Sequence, residues 1–477
     1  MTAMSERGNN ATPPAPAIAP GGEGIDPAQV ARELGRVGMD VRITRHVPGF
    51  DAPFFQAGLA GYSDAAMRII ARRHGAPLAV TEALLDRMLL GGGHGFDKAD
   101  LELLGDALPC SHEDQPLCGQ IIGSDPDEMA AGALKMIEQS SRGDKAYRLM
   151  AYGDAPGPRS TDPRCRDGSK VGAVAPLPSA PVQVCEEDCT PEALLALEHP
   201  QVPGAYDPRE VFASTGVRRA GGGPVPVPGA RSATLSYATI DVNLACPVKK
   251  IDSKSRGGHW LRFPAGAIEI LRAVRAAVPA GVPCTVKLRR GYDDTPEMAR
   301  NFEEIFAASY EMGYAWATVH ARTVEQKYLG SSRWTFLRDL CERYPDRPIL
   351  GSGDVWDVHD IFRMIAYTGV SAVSVARGCI GNPWIFRQAR QMLAGQAPTA
   401  PTLAEQRAVL LEHFALSMAL NGEKHAGRMM RKFGIKFAQH HPKGEQVKLE
   451  FARVSTLEQW RGVLDAWYAE GVPDGAG

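Results

Sequence analysis

The chain has 477 residues, enough for a large folded core with appendages rather than one small domain. Lys and Arg number 53 against 55 Asp and Glu, a formal charge of −2, which excludes a uniformly basic nucleic-acid coat but leaves room for a local basic face. The sequence contains no apolar run of membrane-span length, no apolar stretch of a secretory signal at its N-terminus and only nine scattered cysteines, which predicts a soluble protein of the reducing cytoplasm.

Residues 1–27 are rich in Ala, Pro and Gly and poor in large apolar side chains, so burial cannot offset the entropy of ordering them; a disordered tail is expected. Regular alternation then begins. Short apolar runs fall at 54–60, 78–82, 117–122, 238–243, 284–289, 316–321, 348–353 and 372–377, with amphipathic stretches between them. Helix starts are marked by Asp125-Pro126-Asp127-Glu128 and by Thr295-Pro296, and Gly313 suits a left-handed helix end. Continuous apolar strands between helices predict a parallel sheet covered on both faces. Eight such units predict an α/β fold, a (β/α)8 TIM barrel over 28–143 and 235–400, with a doubly wound sheet as the alternative.

The segment 144–234 interrupts this alternation. It is rich in Pro and Gly, only 190–199 reads as helical, and it is far longer than an ordinary connection, so a long insertion before strand four is expected. It joins a helix to a strand, which places it on the face of the barrel opposite the catalytic loops. From Thr402-Leu403-Ala404-Glu405, a capping box, the pattern becomes purely helical, which predicts a C-terminal all-helical domain over 401–470.

Barrels place chemistry at the C-terminal ends of their strands. Gln120 closes the third run, Asn243 and Cys246 the fourth, His320 and Arg322 the sixth, and Lys287 lies inside the fifth, where an ammonium is costly without a purpose. Ser352-Gly353-Asp354 after the seventh run and Ala376-Arg377 after the eighth combine exposed backbone amides with a cation, the makings of a phosphate site.

These motifs together resemble the tRNA-dihydrouridine synthases. The resemblance is carried by QAGLAGYSDAAMR (56–68), GQIIGSDPDEMA (119–130), DVNLACPVKKI (241–251) with RGG (256–258), TVKLRRGYDD (285–294), VHARTVEQKYLG (319–330), ILGSGDVWD (349–357), VARGCIGNPWIF (375–386) and GRMMRKFGIKF (427–437). The usual Ala-Pro-Met-Ala-Gly of the family reads Ala57-Gly58-Leu59-Ala60-Gly61 here, and Ala245 stands before Cys246 where a Gly is usual. The resemblance implies an FMN- and NADPH-dependent oxidoreductase that converts uridine in tRNA to 5,6-dihydrouridine. In it Cys246 would protonate C5 after hydride reaches C6. Gly58, Leu59, Ala60, Gln120, Lys287, His320, Ser352, Gly353, Asp354, Ala376 and Arg377 would hold the FMN. Asn243, Arg322, Arg428, Arg431 and Lys432 would meet the substrate.

Residues 424–453 hold eight basic residues to two acidic, and 249–290 ten to two, two concentrated regions that suit a phosphate-tracking surface and a helical tRNA-binding domain. An FMN barrel acting on a small pyrimidine and a non-catalytic RNA-binding barrel are the competing readings. No membrane and no obligate protein partner are inferred. No metal is expected either, although Cys110, Cys165, Cys185 and Cys189 are weak candidates for a thiolate cluster.

Overall fold

Eight short runs of buried residues pair side by side in parallel and close on themselves. They are β1 (Phe54–Gln56), β2 (Ala79–Val80), β3 (Leu117–Ile122), β4 (Tyr237–Leu244), β5 (Cys284–Arg289), β6 (Trp316–His320), β7 (Ile349–Ser352) and β8 (Ala372–Val375). Each pairs with the next, and β1 pairs back onto β8, so the sheet is a barrel without free edges. The structure, a computed structural model, describes residues 24–91, 96–108, 110–139, 144–153 and 235–469.

The strands fall on the eight predicted runs: β3 and β5 match them residue for residue, β4 is one residue longer at each end, and the other five are one to four residues shorter. One element was not expected: Leu84–Leu85 adds a two-residue strand to the end of β3. A helix follows at Asp144–Tyr152, at the start of the segment read as a Pro/Gly-rich insertion. Its AYRLMAY run is amphipathic, and Tyr147 is fully buried with its hydroxyl donating to Glu138 at 2.8 Å. The helical reading of 190–199 and the expected tail over residues 1–23 lie outside the described residues. At the N-terminal boundary, Asp26 caps a helix that begins at Pro27.

Helix starts follow the local chemistry. Asp125 accepts from the amides of Asp127 and Glu128 with Pro126 in the first turn. Thr295 caps Pro296–Glu311, and Gly313 has φ +83°. Thr402 and Glu405 form the reciprocal capping box of the helix Leu403–Phe437, which bends at Gly422; helices Gly444–Arg453 and Leu457–Trp467 complete the C-terminal region.

Inside the barrel the two halves differ. Ile43, Val47 and Phe50, from the segment before β1, plug the lower end against Phe55, Trp316 and Leu350. Above this apolar floor the inward positions turn polar: Gln120, Asp241, Thr285, Lys287, Thr318 and Ser374 line the upper cavity. The plug fills the lower end with packed apolar side chains. Among the described residues no helix is long and apolar enough to cross a membrane.

Candidate active site at the barrel mouth

Strand register builds the site. Gln120 is the pairing partner of Asp241, Asp241 of Thr285, Asn243 of Lys287, Arg289 of His320, and His320 of Ser352. A slip of one residue in any strand would turn its polar set into the helical shell.

The lower row is a hydrogen-bonded chain. Thr285 Oγ1 donates to Asp241 Oδ1 at 2.7 Å, and Gln120 Nε2 donates to Asp241 Oδ2 at 2.8 Å. Asn243 Nδ2 donates to Gln120 Oε1 at 2.8 Å, while Asn243 Oδ1 accepts from the backbone amides of Ala245 at 2.9 Å and Cys246 at 3.1 Å. The Asn243 carboxamide therefore shapes the loop that carries Cys246 and keeps a second amide hydrogen for a ligand. Cys246 is half-buried and forms no disulfide. Its carbonyl accepts from Gly258 at 3.1 Å, and Gly257, at φ +58°, lies so close that a Cβ there would be 2.9 Å from the Cys246 Cβ. The Arg256-Gly257-Gly258 turn is thus the other wall of the cysteine loop, and only glycine fits at its centre.

Burial pushes the Asp241 carboxyl above its ordinary range, against the pull of Thr285, Gln120 and Lys287. Burial, aided by Arg289, brings the Lys287 ammonium down to about 8. Lys287 is still mainly protonated at neutral pH, a cation beside the cysteine loop.

The upper row is cationic. Burial and the charges of Arg289, Lys287, Arg322 and Arg377 hold His320 well below its ordinary pKa, so its ring is neutral. Its Nδ1 lies 3.3 Å from Ser352 Oγ. The Arg322 guanidinium grips the Asp354 carboxylate at 2.6 and 2.7 Å, and the Ser332 amide donates to the same group at 2.7 Å. Arg377 lies over Trp356 at 4.5 Å and its guanidinium is 3.7 Å from Asp354.

Gln120, Asn243 and Cys246 meet in the lower row, and His320 with Ser352 and Arg322 and Arg377 with Asp354 in the upper. Asp354 spends its oxygens on Arg322 and the Ser332 amide, so it braces the loop after β7 and offers no carboxylate to an anion. Arg322, expected at the substrate, is 2% exposed and supports that loop from below. Gly58, in the loop after β1, approaches so closely that any Cβ would collide with the Thr81 carbonyl oxygen and sit 3.4 Å from Gln120 Oε1. Glycine in place of the family's proline is therefore demanded by this packing. Lys432 joins the helical region to the same loop, donating to Gly61 O at 3.1 Å with its ammonium 4.5 Å from the Tyr62 ring centre. Arg428 is exposed and Arg431 half-buried on that helix.

The basic stretch 249–290 is a different matter from what its charge count suggests. Arg256, Arg289 and Arg290 are buried at 7%, 3% and 7% exposure and brace loops of the mouth. They belong to the site's framework and not to a surface. Of the four candidate metal cysteines, Cys110 is half-buried and the other three lie outside the described residues; among the described residues no group of three or more His, Cys, Asp and Glu side chains is placed to hold a metal.

Sequence reasoning passed over Asp241, Thr285 and Arg289. The signal was there: Asp241 is a carboxylate inside an apolar strand, the same anomaly that singles out Lys287.

Several buried polar atoms at the mouth have no partner among the described residues: His320 Nε2, Arg322 Nη1, Ser332 Oγ and Trp356 Nε1. Unmet donors beside Arg377 fit an anionic ligand such as a phosphate. Barrels of this kind present such loops at the C-terminal mouth, where a phosphate-bearing group can be held. Residues 229–469 match the family described as Dihydrouridine synthase (Dus), and the chain belongs to that family. The match takes in β4 to β8 and the helical region; the Gly58 and Gln120 segments precede it.

The chain is 35% identical over 230 residues to a probable tRNA-dihydrouridine synthase of Mycobacterium tuberculosis, covering 47% of this chain and 58% of that one. It is 32% identical to tRNA-dihydrouridine synthase B of Shewanella oneidensis, covering 48% and 70%, and 30% identical to that of Pseudomonas aeruginosa, covering 55% and 78%. The chain thus spans little more than half the length of the mycobacterial relative. A structure of morphinone reductase with tetrahydroNAD aligns over 74% of this chain and 89% of its own, at 11% identity and a TM-score of 0.38, too slight a likeness to bear on function.

Proposed function

We propose that this chain reduces uridine in tRNA to 5,6-dihydrouridine, with FMN held at the barrel mouth and NADPH as reductant, in the cytoplasm. The observation that carries the reading is the placement of Cys246. A half-buried thiol is fixed by Asn243 on one side and by the Gly257–Gly258 turn on the other, in a mouth that also holds a half-buried ammonium and unmet donors.

The residues fit the cofactor. Ser352, Gly353, Ala376 and Arg377, with His320 nearby, would take the phosphate; Gln120 and Lys287 would face the ring system, and Gly58, Leu59 and Ala60 would lie along it. When bound, the flavin would supply the hydride chemistry at C6 of the base. The rest is the chain's own work. Cys246 gives its thiol proton to C5, and the resulting thiolate regains a proton from solvent, so one hydride and one proton saturate the C5–C6 bond. Asn243 fixes the backbone that aims the thiol and offers its remaining N–H to the base. Lys287 would hold its ammonium toward the ring system and favour negative charge there. Asp354 and Arg322 act as positioning residues for the phosphate loop. Lys432 ties the RNA-facing helix to the mouth, and Arg428 and Arg431 extend a basic face for the tRNA backbone.

The test is the purified full-length protein and its Cys246→Ala variant. Both should retain flavin absorbance and bind tRNA, and the variant should form dihydrouridine about 10²–10⁴-fold more slowly. Unchanged turnover in the variant would remove Cys246 as the acid, and a colourless protein that cannot be loaded with FMN would favour the non-catalytic RNA-binding reading.

A further inference from the structure

The loop between β6 and the helix Trp334–Arg343 ends in a tip that two buried arginines hold still. Arg289 Nη1 donates to the carbonyl oxygens of Thr323 and Lys327, both at 2.7 Å. From the other side Arg322 donates to the Gly330 carbonyl at 2.6 and 3.1 Å. Between these anchors the Leu329 amide donates to Gln326 O at 2.8 Å, and the Gln326 side chain is itself gripped by Arg290 at 2.7 Å.

What this fixed tip presents is apolar. Leu329 is 76% exposed, and Tyr328 beside it is 38% exposed. A lone exposed leucine on a surface means little. This one differs in its support and in its place. The Tyr328 ring lies 4.7 Å from the Arg377 guanidinium and 5.7 Å from that of Arg289, whose Nε bonds the Ala245 carbonyl next to Cys246. The tip therefore stands at the rim of the mouth, one residue from the cysteine loop's own brace.

We infer that Leu329, backed by Tyr328, is the wedge that enters the RNA base stack when the target pyrimidine is drawn into the barrel. The inference rests on the tRNA reading above. A uridine inside folded RNA must leave its stack to reach the mouth, at a cost of a few kcal/mol, and an apolar side chain inserted into the vacated step offsets part of it. A mobile loop would lose much of that gain to the ordering of its backbone. Two buried guanidinium groups remove that loss in advance, because the backbone on either side of Leu329 is already fixed. Tyr328, stacked on cations at the rim, offers a flat face for a neighbouring base.

The experiment compares wild type, Leu329→Ala and Leu329→Met as full-length, FMN-loaded proteins on two substrates. One is a folded tRNA, the other a short unpaired oligoribonucleotide with the same target uridine. For Leu329→Ala the ratio of kcat/KM on folded tRNA to that on the oligonucleotide should fall about tenfold or more, and Leu329→Met should restore most of it. A 2-aminopurine placed next to the target uridine should brighten when wild type binds and much less with Leu329→Ala. An unchanged ratio with equal brightening overturns the wedge, and equal losses on both substrates assign Leu329 a merely structural part or a protein-docking one. Brightening that depends on Leu329 without any dihydrouridine from wild type would sink the reductase reading and leave the wedge standing.

Discussion

Lys287 and Asp241 set the electrostatics of the mouth between them. The Lys287 ammonium titrates near 8, below the 10.5 of a free side chain, because burial disfavours its charge. Between about 8 and 10.5 the unfolded chain binds the proton that the folded chain releases, so the stability of the cofactor-free protein rises with pH across that window, and the whole penalty is present below it. Affinity for an anionic cofactor runs the other way: FMN binding should weaken as pH rises through about 8, where the cation is lost. Asp241 is one of the groups that raise the Lys287 pKa. Asp241→Asn should therefore move the alkaline limit of FMN binding to lower pH. It also leaves Thr285 or Gln120 without an acceptor, at about 1–3 kcal/mol of stability. Flavin titrations from pH 6.5 to 9.5 check the shift, and a limit that stays put contradicts the coupling. Gly58 makes a steric prediction. Gly58→Ala pushes a methyl into the Thr81 carbonyl, which cannot swing aside, so it should cost about 1–3 kcal/mol and lower flavin retention, read by thermal melts and by the flavin-to-protein absorbance ratio.

At the scale of elements, helix starts and strands were plain in the sequence because their signals are local. Asp125, Thr295 and Thr402 cap what their side chains can reach, and the strands stand out as short, largely apolar and β-branched runs. The partnerships were not legible. That Asn243 would bond both Gln120 and its own loop depends on the register between β3 and β4, which lie more than a hundred residues apart in sequence. The identities of Gln120, Asn243, Cys246 and Lys287 could be read; the bracing duty of Asp354 and Arg322 could not, since an Asp beside a phosphate loop reads as a ligand until its partner is seen. The helix Leu403–Phe437 carries a further consequence of packing. His413 is 1% exposed, its ring centre lies 4.2 Å from that of Phe433, and neither ring nitrogen has a partner among the described residues. Burial drops its pKa to about 3. The folded state thus refuses a proton that the unfolded chain accepts below about 6.5, and stability is lost as pH falls through that window, by about 2 kcal/mol at pH 5. His413→Leu should narrow the gap between melting temperatures at pH 7 and pH 5; an equal gap in both proteins contradicts it.

Over the whole molecule, a near-neutral charge conceals a division of labour. The basic residues of 249–290 are in part spent inside, where Arg256, Arg289 and Arg290 stiffen the mouth, while those of 424–453 remain on the helical region beside it. Counting charge along the chain could not separate the two, because solvent exposure is a property of the fold. Lys432 and the Tyr62–Phe433 contact, with ring centres 5.7 Å apart, join that basic face to the loop after β1, so an RNA bound there as proposed would lie beside the mouth. On the proposed reading, the chemistry and the RNA surface form one site. The most direct measurement is mass-spectrometric mapping of dihydrouridine in tRNA from cells lacking this chain, resupplied with either wild type or Cys246→Ala. Dihydrouridine should vanish at one or more tRNA positions, return with wild type and stay absent with the flavin-loaded variant. Full dihydrouridine at every position without the chain, or its return with Cys246→Ala, would contradict a thiol proton donor facing a flavin at the mouth of this barrel.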